Sequence, residues 1–253
     1  MALLTSIFNT ILYQPLFNAL ILLYQHLPGQ DFGIAVIVLT CLIRFILYPL
    51  MAQSIKSQKT LSQLQPKIQE IQQKYKTDRE RQAREMLALY KKEKINPLGG
   101  FLPLLIQLPI LLALFWVFMA FKDGIDPAKL SILYPFVSSP NLSKEPMLLG
   151  LINLTRPSLF LAVLAGFGQF FQTKMAAPRP KTDGGQPFAK KQEQMVQFSN
   201  LMQKQMLYFF PIFMVFILLR LPAAIGLYWI VTSLFSILQQ HLISKQPKPA
   251  TVP

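Results

Sequence analysis

The residue whose type and position most clearly indicate chemistry is Arg44, which lies inside the apolar run from Leu39 to Pro49. A charged side chain at the centre of a bilayer costs about 2.5–3.5 kcal/mol on insertion scales and usually faces a bundle interior or a water-filled cavity. Apart from Asp31 at the very start of the first of them, no Asp or Glu occurs in the apolar segments, so water or neutral acceptors must surround the guanidinium. Snorkelling to the cytoplasmic interface is the alternative. We expect a hydrated, positively charged cavity that attracts acidic or polar groups of a guest molecule.

Neutral polar side chains in the other apolar segments are the candidates to surround this arginine. They are Gln107, Gln169, Gln172, Thr173, Thr232 and Ser233. The chain has one cysteine and two histidines far apart, so neither an internal disulfide nor a metal site is indicated. Motifs for nucleotide binding, a nucleophile elbow or a zinc peptidase are absent from the sequence. We therefore predict no catalytic residue, no metal, no cofactor and no enzyme activity.

The elements that must position these side chains are membrane helices. The chain has 253 residues and is 52% hydrophobic and 14% charged, whereas an average soluble domain is about 25% charged. Five segments are apolar over the roughly 20 residues that a helix needs to cross a bilayer. We predict an all-α membrane protein with five transmembrane helices, at residues 31–53, 98–121, 147–174, 205–221 and 222–243.

The segment before the first predicted span, residues 1–30, is apolar but interrupted by polar residues and by Pro15. The part after Pro15 has about a dozen apolar residues, too few to cross a bilayer. We therefore predict an amphipathic helix that lies in the membrane interface. A sixth transmembrane helix is the alternative.

The distribution of basic residues predicts the orientation, because cytoplasmic loops are enriched in Lys and Arg. With the N-terminus outside, the cytoplasmic segments hold 19 basic residues and the outer segments hold five. We therefore predict an outer N-terminus and a cytoplasmic C-terminus; the resemblance described below implies that the membrane is a bacterial plasma membrane. The net charge is +14, and the basic residues that produce it flank the apolar blocks without forming a uniform basic surface. We therefore expect no specific nucleic-acid partner.

The first cytoplasmic segment, residues 54–97, has the pattern of a helical hairpin. One helix has an apolar seam with spacings of three and four, made by Leu61, Leu64, Ile68, Ile71 and Tyr75. Thr77 and Glu80 fit a capping box that begins a second helix, whose stripe includes Met86 and Tyr90. A solvated charged loop is the alternative.

The remaining connections have less pattern. We predict an extracytoplasmic loop at 122–146, a cytoplasmic loop rich in Pro and Gly at 175–204, and a tail at 244–253 that is too short to fold alone. Residues 96–109 contain a Gly-Gly pair and three prolines, which weaken a helix. They predict either a span kinked by packing or a deformable helix that lines a cavity.

Several of these stretches together resemble the YidC/Oxa/Alb family of membrane protein insertases, from about residue 12 to residue 243. The resemblance is to the bacterial YidC type without the large periplasmic domain. The motifs occur in the family's order and spacing: the first span with its arginine, Tyr48-Pro49-Leu50 followed by Lys56, Leu64-Gln65-Pro66, Tyr75-Lys76, Asn96-Pro97-Leu98-Gly99-Gly100, residues 102–109, and Gly226-Leu227-Tyr228-Trp229-Ile230 through Gln239-Gln240.

The resemblance implies a five-helix core around a hydrophilic groove, which is open to the cytoplasm and to lipid and closed outside. Arg44 matches the groove arginine, and Gln172 and Trp229 are similar to groove-lining partners, with Gln169 competing for the role of Gln172. Gln107 and Ser233 complete the expected groove. The hairpin is similar to the one that receives substrates and partners. Its expected capture residues are Lys56, Leu61, Leu64, Ile68, Ile71, Tyr75, Met86 and Tyr90.

The function implied is that of an insertase and chaperone, which moves polar portions of membrane proteins through the groove and releases apolar segments into lipid. Nascent membrane proteins and the bilayer are the implied partners, with a ribosome and a Sec-type translocon as further candidates. A small-anion transporter or channel that uses Arg44 as its binding charge is the main alternative, although transporters tend to have internal repeats and none is found. A scaffold that recruits ribosomes through the basic hairpin is a second alternative.

Overall fold

The computed structural model describes residues 2–93, 102–122, 130–139, 145–176 and 207–245, and most of them are helical. The helices are α1 (Ala2–Phe8), α2 (Gln14–His26), α3 (Phe32–Ile46), α4 (Tyr48–Gln63), α5 (Gln65–Lys74), α6 (Arg79–Lys92), α7 (Leu102–Met119), α8 (Leu159–Ala176), α9 (Leu207–Leu218) and α10 (Ala223–Lys245). Strands β1 (Met147–Leu148) and β2 (Ile152–Asn153) pair in antiparallel register. The predicted Asn-Pro-Leu-Gly-Gly stretch at 96–100, most of the 175–204 loop and nearly all of the tail lie outside the described residues.

The described residues do not contain all five predicted spans at full length. Three described helices are long and apolar enough to cross a membrane, namely Thr5–His26, α8 and α10, and the bent pair α3 and α4 makes a fourth if it counts as one span. The described apolar helices at Leu105–Met119 and in α9 are shorter. The architecture therefore agrees with a helical membrane protein, and five spans are not confirmed.

Large apolar side chains cover the outside of these helices. Ile46 on α3 is 77% exposed and Phe160 on α8 is 66% exposed, and Trp116 and Leu234 are exposed on α7 and α10. Soluble proteins rarely expose contiguous apolar patches larger than a few hundred Å². The exposed apolar surface fits contact with lipid.

Helix α10 is the central element of the bundle and packs against both α3 and α8. Small residues allow the close approach, because a Cβ atom at Gly226 would lie 3.4 Å from the Cβ atom of Leu161 on α8. Ala223, Ala224 and Tyr228 are buried on the same helix. The position of α10 brings its side chains into contact with those of several other helices.

The first predicted span is not one straight helix from 31 to 53. The chain bends by 64° at Leu47, between α3 and α4. Pro49 explains the break, because proline has no N–H to donate to the carbonyl four residues earlier and its ring clashes with that carbonyl. Proline is accepted in the first turn of a helix, where it lies in α4. Arg44 therefore lies in the last turn of α3, next to the bend.

The third predicted span, at 147–174, also begins later than expected. Its helix begins at Leu159, and residues 147–153 form the β-hairpin. Leu149 and Gly150 have φ angles of +50° and +68°, which belong to a turn and not to a right-handed helix. Residues 147–152 have no polar side chain, which concealed this turn, because such residues are compatible with either structure.

Pro15 does not end the N-terminal helix as predicted. A π-helical segment, Asn9–Tyr13, joins α1 to α2, and the N–H of Gln14 donates to the carbonyl of Asn9. The wider turn accommodates Pro15 in the first turn of α2. Thr5–His26 is therefore a 22-residue apolar helix, and the inference that this segment is too short to cross a bilayer was wrong.

The N-terminal helix is attached along its length to residues 132–138. The amide groups of three side chains on α2 make these contacts, and Asn18 is 2% exposed. The hydrogen bonds run from Gln14 Nε2 and Asn18 Nδ2 to the Ile132 carbonyl (3.0 and 3.1 Å), from Tyr134 N–H to Asn18 Oδ1 (2.7 Å), and from Gln25 Nε2 to the Ser138 carbonyl (2.7 Å). The helix therefore follows one connecting segment from its first turn to its last.

The predicted hairpin region contains α5 and α6, which pack against each other. The apolar seam has a break at Leu64 because Pro66 cannot continue α4, so Leu61 lies on α4 and Ile68 on α5. Leu64 and Ile68 are buried, and Leu61, Ile71, Tyr75, Met86 and Tyr90 are half-buried.

The second hairpin helix begins one residue later than predicted. Asp78 is its N-cap, and the Asp78 carboxylate accepts from the Arg81 N–H at 3.0 Å. The capping box predicted at Thr77 was wrong. Aspartate is at least as good a cap as threonine, since its carboxylate also stabilises the positive end of the helix dipole.

Asn18→Ala is expected to lower the free energy of unfolding by about 1–3 kcal/mol, because it leaves the Tyr134 N–H without its acceptor. Gln25→Ala is the matched control, because its hydrogen bond is exposed and it should cost about 0.5 kcal/mol. Thermal unfolding in detergent measures both. Equal losses for the two variants would contradict the assignment of Asn18 as the principal attachment.

Candidate functional site

Arg44 is 6% exposed, and its Nη2 donates to Gln107 Oε1 on α7 at 3.0 Å. Among the described residues, the ion pairs are Lys67–Glu93 and Arg84–Glu80, so Arg44 has no carboxylate partner there. The last turn of α3 presents the negative end of that helix's dipole to the guanidinium. The charge is therefore held by a neutral amide and by the helix end, without being neutralised.

Gln107 also donates from Nε2 to the hydroxyl of Tyr228 on α10. The orientation of its amide is fixed by chemistry, because a guanidinium has no acceptor and must face the amide oxygen. Tyr228 is 1% exposed. Two hydrogen bonds therefore link α3, α7 and α10, through Arg44, Gln107 and Tyr228 in that order.

The next residue, Trp229, makes a second pairing on the other flank of α10. Its Nε1 donates to Gln169 Oε1 on α8 at 2.9 Å, and Gln169 Nε2 donates to Thr173 Oγ1 at 3.1 Å. The sequence left open whether Gln169 or Gln172 lines the expected groove; of the two, Gln169 is the one that accepts the hydrogen bond from Trp229. Adjacent aromatic residues on α10 therefore bind glutamines on two different helices.

Several buried oxygen atoms close to these residues in sequence accept no hydrogen bond from the described part of the chain. They are Gln172 Oε1, Thr232 Oγ1, Ser233 Oγ and Gln240 Oε1. Buried polar atoms usually have partners, and one without a partner costs free energy. Among the described residues, these four oxygens therefore have unused acceptor capacity. Together with the Arg44 and Gln169 pairings, they form what we call the polar cluster.

Ser233 marks the point where α8 and α10 are closest in the polar cluster. A Cβ atom at Gly168 would lie 3.1 Å from the Cβ atom of Ser233, which is 0% exposed. A larger residue at position 168 would force these neighbours apart. The glycine therefore permits the polar face of α10 to lie directly against α8.

The chemistry available to the polar cluster is attraction and hydrogen bonding. It offers one buried cation and several neutral donors and acceptors, and the described residues contain no group of His, Cys, Asp or Glu that could hold a metal ion. Such a site attracts anionic or polar groups in a low-dielectric setting.

The predicted capture residues lie apart from the polar cluster on α4, α5 and α6. Lys56 is exposed on α4, which connects the last turn of α3 to the hairpin. On α6, Leu87 is an apolar residue with 56% exposure, next to half-buried Met86. Sequence reasoning did not include Tyr228 in the site. Its position beside Trp229 was visible, but spacing does not show that it faces Gln107.

A family model described as the 60Kd inner membrane protein matches residues 22–250. The chain belongs to this family. The membrane protein insertase YidC of Fusobacterium nucleatum subsp. nucleatum is 36% identical over 216 residues, which cover 85% of this chain and 87% of that relative. The membrane protein insertase YidC of Francisella tularensis subsp. novicida is 33% identical over 222 residues, 87% of this chain but 34% of the relative.

The resemblance to the YidC/Oxa/Alb family is therefore confirmed. In this member of the 60Kd inner membrane protein family, the matched region includes the residues of the polar cluster. The chain spans about a third of the Francisella relative's length.

Gln107→Met is expected to lower the free energy of unfolding by about 1.5–3 kcal/mol, because it removes a hydrogen bond to a buried charge. Gln169→Met removes a hydrogen bond to a neutral indole and should cost about 1 kcal/mol. Thermal unfolding of the two variants in detergent gives the comparison. A larger loss for Gln169→Met would show that Gln107 does not hold the buried charge.

Proposed function

We propose that this protein is a membrane protein insertase and chaperone without covalent chemistry. The observation that carries the proposal is the buried Arg44, whose charge has a neutral amide as its described partner inside an apolar bundle. The names of the two relatives support the same activity. The substrates are membrane proteins during their synthesis.

The proposed mechanism uses the charge to lower the barrier for polar segments. The polar, extracytoplasmic portion of a substrate enters a groove formed by the polar cluster, attracted by Arg44. The free oxygens of Gln172 and Ser233 accept hydrogen bonds from it. Each backbone group that stays satisfied there avoids a cost of several kcal/mol in hydrocarbon. The hydrocarbon layer that the polar segment still has to cross is then thinner and less apolar.

The hairpin of α5 and α6 acts first in this proposal. Half-buried Met86 and Tyr90, with exposed Leu87, offer apolar contact to a nascent hydrophobic segment, and Lys56 lies on the helix that leads to Arg44. The apolar segment then leaves sideways into lipid, driven by the hydrophobic effect. The exposed apolar faces of α3 and α10 border that route.

The proposed setting is the bacterial inner membrane, with the N-terminus outside and the C-terminus in the cytoplasm. In this orientation residues 132–138 belong to an outer loop. The N-terminal helix bonds to that loop from Gln14 to Gln25, and its Phe17 ring lies 5.7 Å from Phe121 at the end of the second apolar segment. These contacts favour a helix lying in the outer interface. A ribosome and a Sec-type translocon are proposed partners.

The proposal predicts that Gln107→Glu impairs insertion, because the new carboxylate pairs with Arg44 and neutralises its charge. We expect insertion of a single-span substrate with an acidic translocated end to fall about tenfold, the factor for 1.4 kcal/mol. The measurement is protease protection of that end in vesicles. Gln107→Met is the matched control, because it removes the hydrogen bond and keeps the charge, so the loss should be smaller.

A substrate with a neutral translocated end should lose less insertion than the acidic one in Gln107→Glu vesicles. If the Gln107→Glu variant inserts each of the two substrates as well as the parent protein does, the proposed role of the charge is overturned. Uptake of a small anion by vesicles that fail to insert either substrate would favour the transporter alternative.

A further inference from the structure

Both carboxylate oxygens of Asp31 are occupied, and they bind different parts of the chain. Oδ1 accepts from the Ile34 N–H at 2.8 Å and caps α3. Oδ2 accepts from the Leu149 N–H at 2.5 Å, on the turn between β1 and β2. A cap needs one oxygen. The second oxygen therefore has a separate role, which is to hold the turn against the start of α3.

The same turn also packs against α3 beside Asp31. A Cβ atom at Gly33 would lie 2.7 Å from the Leu148 Cβ atom and 2.9 Å from its Cα atom, so the glycine is required for this contact. Leu149 and Gly150 have left-handed backbones, and the Leu151 N–H closes the turn on the Leu148 carbonyl at 2.9 Å. The turn is thus built to fit the first turn of α3.

The residues that follow the turn are attached to a second helix. The first N–H groups of α10, at Ala223 and Ala224, donate to the carbonyls of Arg156 and Leu154, both at 3.0 Å. Leu154 is 1% exposed. Residues 147–156 therefore connect the beginnings of α3 and α10, the two helices that supply Arg44 and Tyr228.

A continuous buried face of α3 leads from this connection to the polar cluster. Val36, Thr40 and Arg44 are one helical turn apart, and they are 1%, 1% and 6% exposed. Asp31 and Arg44 are separated by thirteen residues, about 20 Å along a helix. The turn therefore lies at the end of the face on which Arg44 lies.

We propose that Asp31 is a positioning residue whose second oxygen keeps the turn 148–151 closed over the outer end of the polar cluster. The inference rests on the orientation given under the proposed function. The closed turn prevents polar molecules outside from reaching Arg44, while the cluster stays available to substrates from the cytoplasmic side. Release of the Leu149 N–H opens the outer end.

Asp31→Asn separates this role from helix capping. Asparagine caps a helix as well as aspartate does, but its side chain has one acceptor oxygen, so the Leu149 N–H loses its partner. Asp31→Ser is a second variant with the same loss. The matched control is Asp78→Asn in α6, where the carboxylate makes a described cap bond to Arg81 alone.

The test measures access to Thr40 in the full-length protein. Thr40→Cys in a Cys41→Ser background places one thiol on the buried face, and a membrane-impermeant maleimide is added from the outside of oriented vesicles. We expect Asp31→Asn and Asp31→Ser to raise the rate of labelling about tenfold, which corresponds to 1.4 kcal/mol. Asp78→Asn should leave it unchanged.

Unchanged outside labelling in Asp31→Asn and Asp31→Ser, with position 40 still reactive to a permeant maleimide, would overturn the proposal. Faster labelling from the cytoplasmic face alone would overturn it as well. The labelling rate reports closure without any substrate present. If the charge of Arg44 proved to have no effect on insertion, the proposed function would be refuted. The labelling result would still stand.

Discussion

One buried positive charge with no carboxylate partner in the described structure is the constraint on which the arrangement depends. A guanidinium at 6% exposure must be surrounded by acceptors, and Gln107 supplies one at 3.0 Å, while the position of Arg44 in the last turn of α3 is favoured by the helix dipole. A carboxylate partner would satisfy the same donors and cancel the charge. A neutral amide satisfies hydrogen bonding and preserves the attraction for an anionic guest.

The helices are placed so that this charge is stable. The bend at Leu47, caused by Pro49, ends α3 at Ile46, two residues after Arg44, and so places Arg44 in the last turn of that helix. Helix α10 is hydrogen-bonded to Gln107 on α7 through Tyr228 and to Gln169 on α8 through Trp229. The turn at 148–151 and the residues that follow it are hydrogen-bonded to the starts of α3 and α10, the two helices that supply Arg44 and Tyr228.

Sequence patterns identified the polar residues that hydrogen-bond between helices better than they located the ends of those helices. Arg44, Gln107 and Trp229 were visible because polar residues in apolar segments are costly and few. The turn at 148–151 was hidden, since an apolar run is compatible with helix or strand. The continuity of the helix through Pro15 depended on a π-helical segment that composition does not reveal. The hydrogen bond from Trp229 to Gln169 depends on the relative rotation of α8 and α10, which is a property of packing.

The most direct measurement of the central claim is photocrosslinking from position 172 with Arg44 intact. Ribosomes are stalled on a single-span nascent chain that has an acidic translocated end, and Gln172 is replaced by a photoreactive amino acid. The account predicts crosslinks to the nascent chain that weaken when its acids are neutralised or when Arg44→Gln is added. Crosslinks of equal yield in all three cases, or none with ribosomes bound, would contradict a groove that uses this charge.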